Sequence, residues 1–409
     1  MPRPTPFHPR TAALATSYRW KEWAGYYAVC AYDTVIDREY FAVRQTAGLL
    51  DVSPLYKYEV TGRDAAAFLS RIMSRDLTGL AVGRVVYLCW CDERGYVLDD
   101  GTVARLGESH YRVTASEPWM AWFGRFTRGF DVQIEDSSKR LAALALQGPL
   151  SREILKQGAD AGLMDTLKFF GVKRTTFAGI DLWITRTGYT GDLGYELWVE
   201  ADQALPLWDR LMDLGKDYGI EPMGLDALDV TRMEAGFILQ GVDYFSARGC
   251  IIDKRKSNPY EVGLGWTVNL DRGPFVGSDA LAKASKESTW ATVGLEISWV
   301  ELEKLYDRFT LPPELPVGAW RTGVPIYGDD GRQVGYATSG AWSPTLKKPL
   351  ALATVRADLA RDGMRLQIEH TVEYERHRVL ATVVPRPFFD PPRKKSLGPT
   401  APKGKEGAA

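Results

Sequence analysis

The strongest constraint on what this chain can fold into is how its apolar residues are divided. They come as short runs, each cut off by a turn. Val85–Cys91, Tyr96–Asp99, Thr102–Leu106 and Tyr111–Ala115 follow one another, broken by Glu93-Arg-Gly and Gly107-Glu-Ser. A second series begins at Ala291: Val293–Ile297, Pro325–Tyr327, Arg332–Thr338, Leu350–Val355, Arg365–Ile368 and Val379–Val384. Short β-type runs with glycine turns between them predict antiparallel meanders, not a parallel sheet with long crossovers. No apolar run reaches the ~18 residues of a membrane span. Met1–Thr16 is polar and proline-containing, without the apolar centre of a secretory leader.

Helical periodicity fills the gaps. Asp33–Thr46 ends at Gly48, and Asp64–Met73 places Ala66, Phe68, Leu69 and Ile72 on one face. Leu205–Tyr218 and Leu225–Ala235 read as two further helices. At ~100–200 residues per domain, 409 residues predict two to three domains. The expected division is 1–55 plus 140–275 as one discontinuous domain, 56–139 as an inserted lobe, 285–390 as a β-rich C-terminal domain and 391–409 as a mobile tail rich in Pro, Lys and Gly.

Charge and cysteine content narrow the function. Lys and Arg number 51 against 52 Asp and Glu, a net charge of −1, which argues against a dedicated nucleic-acid binder. Four cysteines are too few for a disulfide scaffold, and Cys89 and Cys91 share one face of a strand, a poor geometry for a bridge. A reducing, cytoplasmic setting is expected. The four histidines lie far apart and no HExxH or CxxC occurs, so no resident metal is expected.

Three stretches could carry chemistry. Asp99-Asp100 ends a strand run and precedes Gly101; adjacent strand residues face opposite ways, so only one can line a pocket, and a plain turn pair is the competing reading. Thr185-Arg-Thr-Gly-Tyr-Thr-Gly-Asp-Leu-Gly-Tyr-Glu-Leu-Trp has glycines that permit a tight turn and close approach to a flat ligand, but neither Walker A nor GxGxxG spacing. Its Glu196 could accept two hydrogen bonds from an amidine-like edge, as in a pterin, or could simply face solvent. In Asp229-Val-Thr-Arg232-Met-Glu234, Arg232 could clamp a ligand carboxylate or pair with Asp229 three residues away on the helix surface.

In this order the motifs resemble the glycine-cleavage T-protein (aminomethyltransferase) superfamily of folate-dependent one-carbon enzymes. The matches are Ala42-Val-Arg-Gln-Thr-Ala-Gly-Leu-Leu-Asp-Val-Ser, Val97-Leu-Asp-Asp, Ala145-Leu-Gln-Gly-Pro, Arg186-Thr-Gly-Tyr-Thr-Gly-Asp-Leu-Gly-Tyr-Glu-Leu, Gly224-Leu-Asp-Ala-Leu-Asp-Val-Thr-Arg-Met-Glu-Ala-Gly, Glu261-Val-Gly-Leu-Gly-Trp and Thr338-Ser-Gly-Ala-Trp-Ser-Pro-Thr-Leu. The resemblance implies an α+β, three-domain cloverleaf with tetrahydrofolate in a central channel. It implies Asp100 near the reacting folate nitrogens, Tyr87, Tyr189, Arg232 and Trp266 as cofactor contacts, and Glu196 at the pterin edge.

Several positions depart from the family pattern. Asp51-Val-Ser-Pro54 stands where the family has Asp-Val-Ser-His. Thr114-Ala-Ser-Glu-Pro118 lacks the family's asparagines. Leu239-Gln-Gly-Val-Asp243 lacks its tyrosine and is followed by about nine extra residues after Tyr244. The segment Asp243-Tyr-Phe-Ser-Ala-Arg248 resembles a demethylase branch that acts on methoxyaromatics. On that resemblance the expected reaction is methyl transfer from a small methylated donor to tetrahydrofolate. Tyr244 would be the general acid, and Tyr26, Tyr27 and Arg248 would line the donor pocket. The alternative is the aminomethyltransferase of glycine cleavage, whose partner is a lipoylated carrier protein. No nucleic-acid or membrane partner is expected under either reading.

Overall fold

The computed structural model describes residues 1–398. Its strands run in chain order. A hairpin of β1 (Arg19–Trp23) and β2 (Tyr26–Ala31) leads to β3 (Ala47–Asp51). Next come β4 (Tyr56–Thr61), β5 (Val85–Cys91), β6 (Val97–Gly107), β7 (His110–Ala115) and β8 (Gln133–Asp136). Then β9 (Leu141–Gln147), β10 (Val172–Phe177), β11 (Ile180–Thr185), β12 (Gly194–Glu200) and β13 (Ile220–Pro222). The last six are β14 (Trp290–Ile297), β15 (Val324–Tyr327), β16 (Gln333–Ser343), β17 (Lys348–Arg356), β18 (Arg365–Val372) and β19 (Glu375–Val384).

They form three main sheets. β4 to β8 pair in the order β5-β6-β7-β4-β8. β3 joins β9 to β13 in the order β10-β11-β12-β9-β3-β13, antiparallel except where β13 lies parallel to β3. β14 to β19 close into a barrel. Closure leaves no open edge, and inward-facing residues (Leu295, Ile326, Val355, Leu366, Val383) fill the interior. Each such aliphatic residue, once buried, contributes about 1.5–3 kcal/mol. The α+β expectation with antiparallel sheets and a β-barrel at the C-terminus holds.

One strand differs from its reading in a way that matters for the site. Tyr96–Asp99 and Thr102–Leu106 are not two runs; β6 passes straight through Asp99-Asp100-Gly101. Gly101 lies so near β7 that a Cβ there would sit 2.0 Å from the Thr114 carbonyl oxygen. This glycine therefore allows a close crossing instead of ending a strand. Helix Asp37–Gln45 and helix Leu225–Glu234 match the expected positions within a few residues.

Buried ion networks bind the lobes together. Arg44 on the first of these helices meets Glu234 on the second at 2.5 Å, and Ser343 of the barrel donates to the same carboxylate. The C-terminal segment adds to this network as far as it is described. Arg393 reaches Asp192 through two bonds of 2.7 and 2.8 Å, and Arg186 donates to the Ser396 carbonyl at 2.6 Å. The rest of the expected tail, from 399 on, lies outside the described residues. Among the described residues no helix is long and apolar enough to cross a membrane.

Candidate functional site

Strand alternation sends the two carboxylates of β6 to opposite faces. Asp99 is fully buried and holds the 116–119 segment: it accepts from Ser116 N (3.0 Å), Ser116 Oγ (2.7 Å), Glu117 N (3.1 Å) and Trp119 Nε1 (2.7 Å). Burial and the neighbouring Asp100 push its pKa up to about 8. Asp100 takes the other face. Tyr87 Oη of β5 donates to its Oδ2 at 2.6 Å, and Tyr244 Oη donates to its Oδ1. Burial raises the Asp100 pKa, and the hydroxyls of Tyr244 and Tyr87 pull it partly back. The result is an enclosed acid with its two oxygens oriented by two phenols.

Further along the same face, β6 and β7 contribute Thr102, Arg112 and Thr114, and β12 contributes Glu196 and Trp198 opposite them. Together with Thr185 and Thr187 they line a narrow cleft. Within it the Glu196 carboxylate meets only the Thr187 hydroxyl, and burial raises its pKa to about 7. Thr102 and Thr114 share a hydroxyl bond of 2.6 Å. Arg112 is 6% exposed and is held by Glu59 through Nε at 2.7 Å; among the described residues no acceptor meets its two terminal nitrogens. Arg112 and the threonine pair carry no sequence signal, because their roles depend on three strands lying side by side.

The glycines of the Gly188–Gly194 loop approach protein, where a flat ligand was expected. A Cβ on Gly188 or Gly194 would lie 1.9 or 2.3 Å from Gln147 Oε1. Gln147 binds the loop from within, donating to the Thr187 and Tyr195 carbonyls and accepting from Thr190 Oγ1 at 2.9 Å. The loop thus sets Tyr189, whose hydroxyl donates to the Ile238 carbonyl and whose ring stacks on Phe237 at 5.5 Å.

Other expected residues fall in different places. Arg232 is tied to protein through two of its guanidinium nitrogens, while its buried Nη2 meets no hydrogen-bond partner among the described residues. Its Nε meets Asp229 at 2.7 Å, and its Nη1 meets Asp243 at 2.6 Å and the Phe237 carbonyl at 3.1 Å. The pair with Asp229 is also not a surface pair, since both residues are buried. Trp266 is 63% exposed and stacks on Tyr87, with centroids 6.1 Å apart and planes at 27°. Tyr26 is buried under the Arg3 guanidinium, and Tyr27 lines a separate cleft with Asp51 and Pro54. Arg248 donates to the Pro118 carbonyl at 2.8 Å and lies over Trp119. None of these three hydrogen-bonds to Asp100, Tyr87 or Tyr244.

Comparison with known proteins matches this architecture. The GCVT N-terminal domain family model covers residues 7–272, and the glycine cleavage T-protein C-terminal barrel domain model covers 309–390. Fold and site therefore define an enzyme of the one-carbon group-transfer class. An aminomethyltransferase of Herpetosiphon aurantiacus is 35% identical over 96% of this chain and 99% of its own length. One from Thermotoga maritima is 33% identical over 88% of this chain and 90% of its own. The crystal structure of glycine cleavage system aminomethyltransferase T from Bartonella henselae superposes with a TM-score of 0.80 at 25% identity, covering 97% of this chain and 100% of that one. The chain belongs to the glycine-cleavage T-protein (aminomethyltransferase) family.

These relatives overturn the demethylase expectation. Aminomethyltransferases align along nearly the whole chain, whereas the demethylase resemblance rested on six residues, Asp243 to Arg248. Tyr244 loses its role as acid toward a departing ether oxygen. It is buried, its pKa is well above the usual tyrosine value, first through burial and then through Asp100, and its proton is engaged by Asp100.

Proposed function

We propose that the protein transfers an aminomethyl unit from a lipoylated carrier protein to tetrahydrofolate, releasing ammonia. The observation that carries this reading is the placement of Asp100: a half-buried carboxyl with a raised pKa, oriented by Tyr87 and Tyr244, on the same face of β6 as the cleft that Glu196 lines. The relatives are aminomethyltransferases, which supports the aminomethyl unit as the group transferred.

The residues present fit a pterin. Glu196 is a half-buried carboxylate with only the Thr187 hydroxyl beside it, and a 2-amino-4-oxo ring brings the two adjacent donors it lacks. When bound, the reduced folate supplies the nitrogen nucleophiles that receive the carbon. Glu196 holds the ring's amino edge. Tyr87, stacked on Trp266, stands beside Asp100. Asp100 would serve as the acid–base group for the transfer, and its two phenol partners fix the orientation of its carboxyl. Asp99 acts from behind the strand, holding the 116–119 segment in place.

The test is reconstitution with a lipoylated carrier loaded with the aminomethyl group, following ammonia and methylene-tetrahydrofolate. Formation of both products with the wild type and their loss in Asp100→Asn is the expected result. Absence of both products with active carrier refutes the proposal.

A further inference from the structure

Glu196 shares its cleft with a cation that does not pair with it. Arg112 of β7 and Glu196 of β12 come from different sheets and line the same narrow space. Arg112 goes to Glu59, and Glu196 meets only the Thr187 hydroxyl. Trp198 shows how near the two charges stand. It follows Glu196 by two residues, so both side chains lie on one face of β12 at a spacing of roughly 6.6 Å. The Arg112 guanidinium carbon is 5.8 Å from the Trp198 ring centroid. A carboxylate and a guanidinium thus face one cleft beside apolar Val85, Ala104 and Val172.

The guanidinium is held at one end and open at the other. Its Nε donates to Glu59 Oε1 at 2.7 Å, and the second Glu59 oxygen meets His110 Nε2 at 2.6 Å. An ion pair made for stability alone is commonly bidentate; here Nη1 and Nη2 meet no acceptor among the described residues. The threonines of the lining are bonded in pairs, Thr102 with Thr114 and Thr185 with Thr187, each at 2.6 Å. Arg112 is buried, so its uncommitted N–H groups favour an occupant of the cleft that accepts hydrogen bonds.

A pterin has the matching edge. Its 2-amino group and N3–H are donors, and the neighbouring 4-oxo oxygen is an acceptor. We propose that Arg112 donates to the 4-oxo oxygen while Glu196 takes the two donors, and that Arg112 thereby makes the enzyme selective for 4-oxo over 4-amino pterins. This role rests on the folate reading above. A 4-amino ring would turn donors toward a donor, and its more basic ring would bring positive charge beside a cation. Glu196 by itself would choose the other way, because a carboxylate favours the more basic diamino ring. The two side chains pull in opposite directions, and Arg112 decides the preference.

The experiment measures anaerobic binding of tetrahydrofolate and of its 4-amino-4-deoxy analogue to the full chain at pH 8, by tryptophan quenching. The wild type is expected to prefer the 4-oxo ring by about tenfold or more, the worth of one charged hydrogen bond. In Arg112→Met and in Arg112→Leu the ratio should fall to one or reverse, whereas Arg112→Lys, which keeps a cation with N–H donors, should retain part of the preference. Each ratio compares two ligands on one preparation, so a loss of folded protein does not move it. Equal affinity of the wild type for the two ligands, or an undiminished ratio in both apolar variants, overturns the role given to Arg112. Binding of neither ligand by the wild type overturns the folate reading itself, and this role with it.

Discussion

Replacing Glu196 by glutamine should make the protein more stable and a poorer folate binder at once. Burial lifts the Glu196 pKa from the ordinary 4.5 to about 7. At ~1.4 kcal/mol per pKa step, the ionised side chain costs the empty protein at most ~3 kcal/mol. The sign follows from linkage. The unfolded chain releases this proton more readily than the folded one, so stability falls as pH rises from 4.5 toward 7 and is level above that. Glu196→Gln removes the cost: the variant should gain up to ~3 kcal/mol in denaturant midpoint analysis at pH 8 and almost nothing at pH 4. Binding should move the other way. A donor edge selects the carboxylate, so wild-type affinity for tetrahydrofolate should rise roughly tenfold between pH 6 and pH 8. In the variant it should be flat over that range and weaker at pH 8 by about 1.5–3 kcal/mol, the worth of a charged hydrogen bond. Chemical denaturation and fluorescence titration measure the two halves separately. A variant that is destabilised at pH 8, or that binds with unchanged affinity and pH slope, refutes the account of this carboxylate.

Asp100→Asn should keep tetrahydrofolate binding within a few fold and lower turnover by ~10²–10⁴, the usual worth of an acid–base group, as read by steady-state kinetics. Tyr244→Phe removes a donor that holds the Asp100 pKa down, so the limb of the pH–rate profile that reports Asp100 should move to higher pH; an unmoved limb shows that the hydroxyl does not act on this acid. Arg232→Met leaves Asp229 and Asp243 buried without their shared cation and should cost about 3 kcal/mol of stability, tempered by Arg321 on Asp229 at 2.6 Å and by Thr338 and Ser339 on Asp243. A variant that unfolds like the wild type but has lost folate affinity restores Arg232 to the ligand.

How far the site could be read from sequence depends on the range of each signal. The Asp99-Asp100 pair was legible as one carboxylate in and one out, because strand alternation is set by the two residues themselves. Which one faced in came from family resemblance. Glu196 was equally open to a solvent-facing reading, and only the approach of β6 and β7 to β12 encloses it. That Arg232 is buried between two carboxylates was not legible, because its second partner, Asp243, lies eleven residues on and past the end of its helix. The demethylase reading failed through weighting: a short departure near the channel was set above similarity along the rest of the chain.

The amino-acid order by itself determined the element types. Alternation over five to eight residues and helical spacing over ten are local consequences of backbone geometry, and they placed the barrel strands and the helix Leu225–Glu234 within a few residues. Tertiary structure alone decided which strands became neighbours, that the last six closed on one another, and that Gln147 occupied the space the glycines leave open. It also brought Tyr244 to Asp100 across 144 residues of chain. Such pairings are selected by burial and complementarity between segments far apart, and no short window of residues contains that information.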